Sequence, residues 1–211
     1  LIERSLAFVE NGGIWIVGPL TSIRTEEHTV PTDAGLGGLE PFAGAETVFT
    51  YAMDGTGTLG EAFGMKAPLS LWSTVFEVSE AISMGNLSGG PSPGLSFLTE
   101  VKRGKGKLVL LGSMPAGDDG NEMLERMLIH YGNEANVTRR ADTTKGTIVA
   151  PRVSETEELW VIVNMNGEGG SVTLPHEGTD KISGAIVSAG KLEVGPYEYR
   201  VIAFPATASL Q

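Results

Sequence analysis

Five glutamates, Glu26, Glu27, Glu40, Glu61 and Glu77, have the side-chain type that proton transfer or nucleophilic attack by a carboxyl group requires. That work needs two such groups held a few ångströms apart, usually with one pKa raised. Adjacent side chains such as Glu26 and Glu27 diverge into solvent, and nothing in their sequence neighbourhood raises either pKa. No catalytic residue is assigned among them. The three histidines, His28, His130 and His176, lie far apart in the chain, in a loop, a helix and a turn, with Glu26, Glu27, Glu134 and Asp180 as scattered neighbours. That spacing does not build a zinc centre. Asp118-Asp119-Gly120 lacks the spaced oxygens and the closing glutamate of an EF-hand loop. No metal ligand is assigned, and no intrinsic metal is expected.

Nucleophile chemistry finds no better support. The chain has no cysteine, which removes thiol nucleophiles, disulfides and zinc-thiolate sites. Gly94-Leu95-Ser96-Phe97-Leu98 lacks the second glycine of a nucleophile elbow and reads as strand. Gly55-Thr56-Gly57-Thr58-Leu59-Gly60 satisfies a dinucleotide fingerprint, yet Gly64 and Pro68 interrupt the helix that such a fingerprint must open. A glycine turn is the reading, and no cofactor is expected. Lys102-Arg103-Gly104-Lys105-Gly106-Lys107 is a short basic tip, read as solvated or as a salt-bridge donor to a neighbouring acidic subunit. Trp15, Trp72 and Trp160 sit inside apolar runs and read as core.

The balance of 15 basic against 26 acidic residues leaves a net charge of -11. That argues against nucleic acid and against anionic membranes as partners. No apolar run reaches the ~20 residues of a membrane-crossing helix, and no signal-peptide pattern is present; the cytoplasm is the expected compartment. The 29 glycines gather in loops between apolar runs, which is turn chemistry.

The elements that must position these residues form two groups. Residues 1–10 carry helical spacing in Ile2, Leu6 and Val9, Asn11-Gly12-Gly13 stops that helix, and Ile14-Trp15-Ile16-Val17 is an apolar run suited to a buried strand. Such a unit at the start implies that earlier strands of a parallel sheet lie elsewhere. Residues 21–44 read as a long irregular loop, 47–51 and 69–78 as strands, and 95–101 with 107–111 as a hairpin. A helix capped by Gly120 or Asn121 and stopped by Gly132 buries Met123, Leu124, Met127, Leu128 and Tyr131. Beyond the polar stretch 133–138 every apolar run is strand-length: 147–153, 159–164, 170–174, 182–187 and 197–204, with Asn166-Gly167 as a hairpin turn. The expected architecture is α/β, a partial flavodoxin-like (amidotransferase-like) domain over 1–135, followed by a small all-β antiparallel sandwich over 139–207.

The wording of several segments resembles the glycoside hydrolase family 42 β-galactosidases. Phe8-Val9-Glu10-Asn11-Gly12-Gly13, the strand after it and Gly18-Pro19-Leu20-Thr21-Ser22-Ile23-Arg24-Thr25 resemble that family's middle domain, as do Gly37-Gly38-Leu39-Glu40 with Gly44, and Leu71-Trp72. Gly104-Lys105-Gly106-Lys107-Leu108-Val109-Leu110-Leu111-Gly112-Ser113 is similar to its hairpin strand and departs from it at Leu110 and Ser113. Leu159-Trp160-Val161-Ile162-Val163-Asn164 and the closing Leu192, Gly195-Pro196-Tyr197-Glu198 resemble its C-terminal β-domain.

The resemblance implies a non-catalytic C-terminal piece of a β-galactosidase, in which the first domain serves trimerisation. The family's two catalytic glutamates belong to an N-terminal TIM barrel, which this sequence does not contain; that barrel is an implied partner, with a homo-oligomer the other. Two further readings stay open. A carbohydrate-binding module would use exposed aromatics among Trp160, Tyr197 and Tyr199, and an amidotransferase-like domain would have lost its nucleophile.

Overall fold

The computed structural model describes residues 2–30, 35–53, 57–137 and 139–205. Leu1, Pro31, Gly55, Thr56, Thr138 and positions 206–207, all of which enter the sequence reading, lie outside them. The chain divides into two compact units, Leu1–Val137 and Thr138–Gln211: an α/β unit and a small β-sandwich.

The first unit holds helices α1 (Ile2–Glu10), α2 (Glu40–Ala43) and α3 (Gly117–Glu134). Its strands are β1 (Ile14–Val17), β2 (Ala45–Ala52), β3 (Leu59–Ala62), β4 (Met65–Ser70), β5 (Trp72–Val78), β6 (Ile82–Ser88), β7 (Ser96–Arg103), β8 (Gly106–Leu111) and β9 (Met114–Pro115). These join one sheet in the order β1-β8-β7-β6-β3-β4-β9, with β5 also paired to β7 and β2 to β5. β1 runs parallel to β8, with Trp15 opposite Leu108; the hairpin β7–β8 and the remaining pairs are antiparallel. Strand alternation sends Val109 and Leu111 to a core under Met123, Met127 and Tyr131 of α3. Leu108 and Leu110 go to a second core with Val17, Leu39, Phe76 and Val101.

Helix α1 ends as its sequence dictates. The Asn11 side-chain amide donates to Ala7 O at 2.8 Å, Gly12 takes a left-handed φ of 114°, and Gly13 N donates to Phe8 O. The basic tip docks beneath this end: Lys105 N donates to Glu10 O and Lys107 N to Gly13 O. The segment 21–44 is not irregular throughout. It closes in a 3-10 turn (Gly37–Leu39) and α2, where the Glu40 carboxylate accepts from Leu36 N and the Gly44 carbonyl accepts from the amides of Ser79, Glu80 and Ala81.

Four further expectations for this unit are corrected. The strand expected over 69–78 is two strands, because Leu71 adopts φ 61° and gives its carbonyl to Met53 N. The chain turns there, and Trp72 stands 49% exposed instead of in the core. Helix α3 starts three residues before Gly120, after the extended Ala116, and runs through Gly132 to Glu134. Asp118 and Asp119 in its first turn favour that earlier start through the helix dipole. Leu128 is exposed, so the fully buried stripe narrows to Met123, Met127 and Tyr131.

The second unit carries β10 (Thr147–Val153), β11 (Glu157–Asn164), β12 (Gly170–Leu174), β13 (Gly178–Asp180), β14 (Ile186–Val187), β15 (Gly190–Val194) and β16 (Tyr199–Pro205). One sheet runs β10-β11-β16-β13-β14, and β12 pairs with β15 in another. Trp160, Ile162, Val172, Leu174, Val194, Ile202 and Phe204 form the core shared by the two sheets. Asn166-Gly167 does not close a hairpin. Among the described residues β11 pairs with β10 and β16 and not with β12, so this turn carries the chain into the other sheet, pinned by Asn166 Nδ2 donating to Lys145 O. The strand expected over 182–187 is confined to β14, and β13 and β15 were not anticipated.

Candidate functional site

A group of four titratable side chains, Glu100, Lys107, His130 and Glu134, lies under the last turn of α3. Register on β7 and β8 puts Glu100 and Val109 opposite each other, on the face that α3 covers. Two residues earlier on β8, Lys107 reaches the same face. Its Nζ lies 2.7 Å from Glu100 Oε1 and 2.8 Å from Glu134 Oε2. One turn back along α3, His130 Nε2 is 3.8 Å from Glu134 Oε1, the i,i+4 spacing that puts both on one helix face. The His130 ring is held between Phe63 and Tyr131, with centroids 5.4 and 4.8 Å away.

Burial works against the Lys107 ammonium, but hydrogen bonds and charge from Glu100 and Glu134 outweigh it and hold its pKa above the usual value. Burial first, then the Glu100 carboxylate, push the Tyr131 phenol far up. Tyr131 Oη and Glu100 Oε2 are buried beside each other, and the carboxylate is the acceptor that the phenol faces. Lys107 is thus an ion-pair residue and not part of a solvated tip, which corrects that expectation for this position.

None of the five glutamates singled out from the sequence is buried. Glu26 and Glu27 are exposed on the loop after β1, and Glu40 caps the turn at Leu36. A hydrogen bond from Lys66 and then one from Ser88 hold the Glu61 carboxyl below its ordinary value, opposite to the needs of a general acid. Glu77 is exposed, across from Glu46. His28 is exposed, with φ 62°, and the His176 ring packs edge-on against Phe204 at 4.9 Å. The two carboxylates brought together through one ammonium are Glu100 and Glu134, a pair hidden by its separation in sequence. Ser96 is buried and donates to Leu98 O at 2.8 Å. Of the glycine run at 55–60, Gly60 packs against Phe97 and Leu69, inside a strand.

In the second unit Trp160 is buried against Phe204, and its Nε1 donates to Glu158 Oε1 at 2.8 Å. Tyr197 and Tyr199 are exposed. The motif residues here serve the fold. Asn164 Nδ2 donates to Gly195 O, and Asn164 Oδ1 accepts from Asn166 N. Glu198 accepts from Gly195 N and from Arg200, which also reaches the buried Asp180.

Fold and surroundings together define a two-unit chain, α/β then β-sandwich, whose motif residues cap, turn and pack. Known proteins share this arrangement. The sequence family described as "Beta-galactosidase trimerisation domain" matches residues 1–138, and the one described as "Beta-galactosidase C-terminal domain" matches residues 146–204. Beta-galactosidase YesZ of Bacillus subtilis (strain 168) is 52% identical over 203 residues, covering 96% of this chain and 31% of that protein. Beta-galactosidase YesZ of Bacillus licheniformis is 51% identical over 201 residues, covering 95% and 30%. The crystal structure of a beta-galactosidase from Bacillus circulans sp. alkalophilus shares the fold, with a TM-score of 0.81 at 20% identity, covering 95% of this chain and 30% of that one. The chain belongs to the β-galactosidase trimerisation-domain family of glycoside hydrolase family 42. It spans under a third of the length of the relatives it matches.

Proposed function

We propose that this chain is the assembly and support segment of a β-galactosidase, without catalytic residues of its own. One observation carries this reading: trimerisation and C-terminal domains follow each other along the chain, while the relatives are about three times as long. The exposed or already engaged state of Glu26, Glu27, Glu40, Glu61 and Glu77 supports it. In this reading the partners are a catalytic TIM barrel of the same protein and further copies of the chain, assembled as a trimer. The parent hydrolyses terminal β-D-galactosides with retention, one glutamate protonating the leaving oxygen and another forming the galactosyl-enzyme, both on the barrel. In this reading the protein works in the cytoplasm. Among the described residues no helix is long and apolar enough to cross a membrane. The units act as domains bounded at 1–135 and 139–207.

The test is hydrolysis of a chromogenic galactoside by the purified chain. No turnover above a buffer blank is expected. Turnover that survives repurification and disappears in Glu26→Gln or Glu27→Gln overturns the reading.

A further inference from the structure

The two sheets of the second unit differ on their outer faces. On the β12–β15 sheet, the positions that alternate with the core carry Ser171 opposite Glu193 and Thr173 opposite Lys191, the polar surface that a solvated sandwich shows. On the larger sheet the corresponding positions are apolar. Ile148, Val163 and Tyr199 form one row across β10, β11 and β16, and Ala150, Val161 and Val201 form the next. None of these six belongs to the core beneath, and Ile148 and Tyr199 are 57% and 60% exposed. With core residues between them, they make Leu159-Trp160-Val161-Ile162-Val163 and Val201-Ile202-Ala203-Phe204 unbroken apolar runs, the pattern of strands buried on both faces.

We infer that this face is the docking surface for the outer helices of the parent's catalytic barrel, which makes the larger sheet the middle layer of three. The inference rests on the reading of the chain as one segment of a longer β-galactosidase. Area and chemistry favour that occupant over a second copy of the chain. Strands about 4.8 Å apart with a rise of about 3.4 Å per residue give the three-strand face on the order of 300 Å² of flat area. A dimer held by this contact alone needs about 800 Å² from each partner. A domain on the same polypeptide needs less, because the tether keeps its local concentration high. A TIM barrel is ringed on its outside by helices, and a helix layer is a standard cover for an apolar sheet face. The face also has an apolar centre and a polar rim: its charges stand at one end, where Arg152 lies and Glu157 pairs with Lys181.

Diazirine footprinting of this chain, and of the parent protein expressed from its full reading frame, tests the surface. Ile148 and Tyr199 should label strongly in the chain alone and at least fivefold less in the parent, while the outer face of β12–β15 labels equally in both. Val161→Lys, at the centre of the face, should leave the melting temperature of the chain alone unchanged and restore labelling of Ile148 and Tyr199 in the parent. Val161→Thr, which keeps the β-branched shape, replaces it if circular dichroism shows the lysine variant unfolded. A parent that hydrolyses a chromogenic galactoside while Ile148 and Tyr199 stay fully labelled overturns this inference and leaves the proposed function standing. A reading frame that encodes no barrel overturns both. A dimer of the chain alone that Val161→Lys dissolves gives the face to a second copy and also overturns the inference.

Discussion

The carbonyl oxygen of Gly13 occupies the space in which a side chain on Gly106 would stand, and the Val9 carbonyl crowds the same point. Gly106 needs no unusual φ, so its requirement is for room alone. This close approach lets the end of α1 and the start of β1 lie against β8 and lets Lys107 N reach Gly13 O. Gly106→Ala must therefore move backbone. A loss of about 3 kcal/mol is expected, at the upper end of what overpacking costs. The urea midpoint of the variant against the parent chain measures it; an unchanged midpoint would show that this contact is soft.

How much of this was legible in the sequence depends on which signals are local. The α1 to β1 step and the β7–β8 hairpin were readable because Asn11-Gly12-Gly13 and the alternation through 95–111 are contiguous. Leu71 was not readable, since a left-handed leucine has no signature, and its turn reverses the exposure expected for Trp72. Asn166-Gly167 looks like a hairpin turn, and only the pairing of β12 with β15 shows that the chain changes sheets there. The cluster at Glu100 was hidden because its members lie on two neighbouring strands and a helix. The alternation that puts Glu100 on the α3 face is visible only once that helix is placed.

The boundary between the units is expected to be a domain boundary in solution. Each unit has its own core of buried residues, and only a short stretch separates the end of α3 at Glu134 from Arg139. Residues 139–211 expressed alone should give β-type circular dichroism and a cooperative melt. A chain with neither would place the boundary elsewhere.

Acid should weaken the second unit through Asp180. Burial alone pushes this carboxyl up, but the Ile182 amide, Ser183 and Arg200 outweigh it and hold the group below the usual carboxylate value. The unfolded chain binds this proton first, near pH 3.9. Stability from Asp180 is therefore complete well above that pH and fades as the pH falls through it toward the lower folded value. Asp180→Asn should melt lower than the parent at pH 7, and the gap between the two should narrow as the pH falls below the ordinary carboxylate value of about 3.9. A constant gap across that range would remove Asp180 from the acid response.

The last expectation concerns self-association. β1 pairs with β8 on one side, and among the described residues no strand pairs with its other edge. An open edge offers unpaired N–H and C=O groups to another chain. Beside it, Phe8 is 57% exposed and its ring lies over Gly13, extending an apolar surface from the helix to the strand. Stable oligomers bury on the order of 1,200 Å² or more in total, and this edge with the loop after β1 is one surface that the first unit has to offer. The contact need not be the parental trimer, because the catalytic barrel of the proposed parent would add its own surface to that assembly. Light scattering at micromolar concentration should report a species larger than one chain, and Phe8→Lys should shift it toward the monomer by placing a charge in the apolar contact. A monomeric parent chain, or an oligomer indifferent to that lysine, would show that the edge is not the contact.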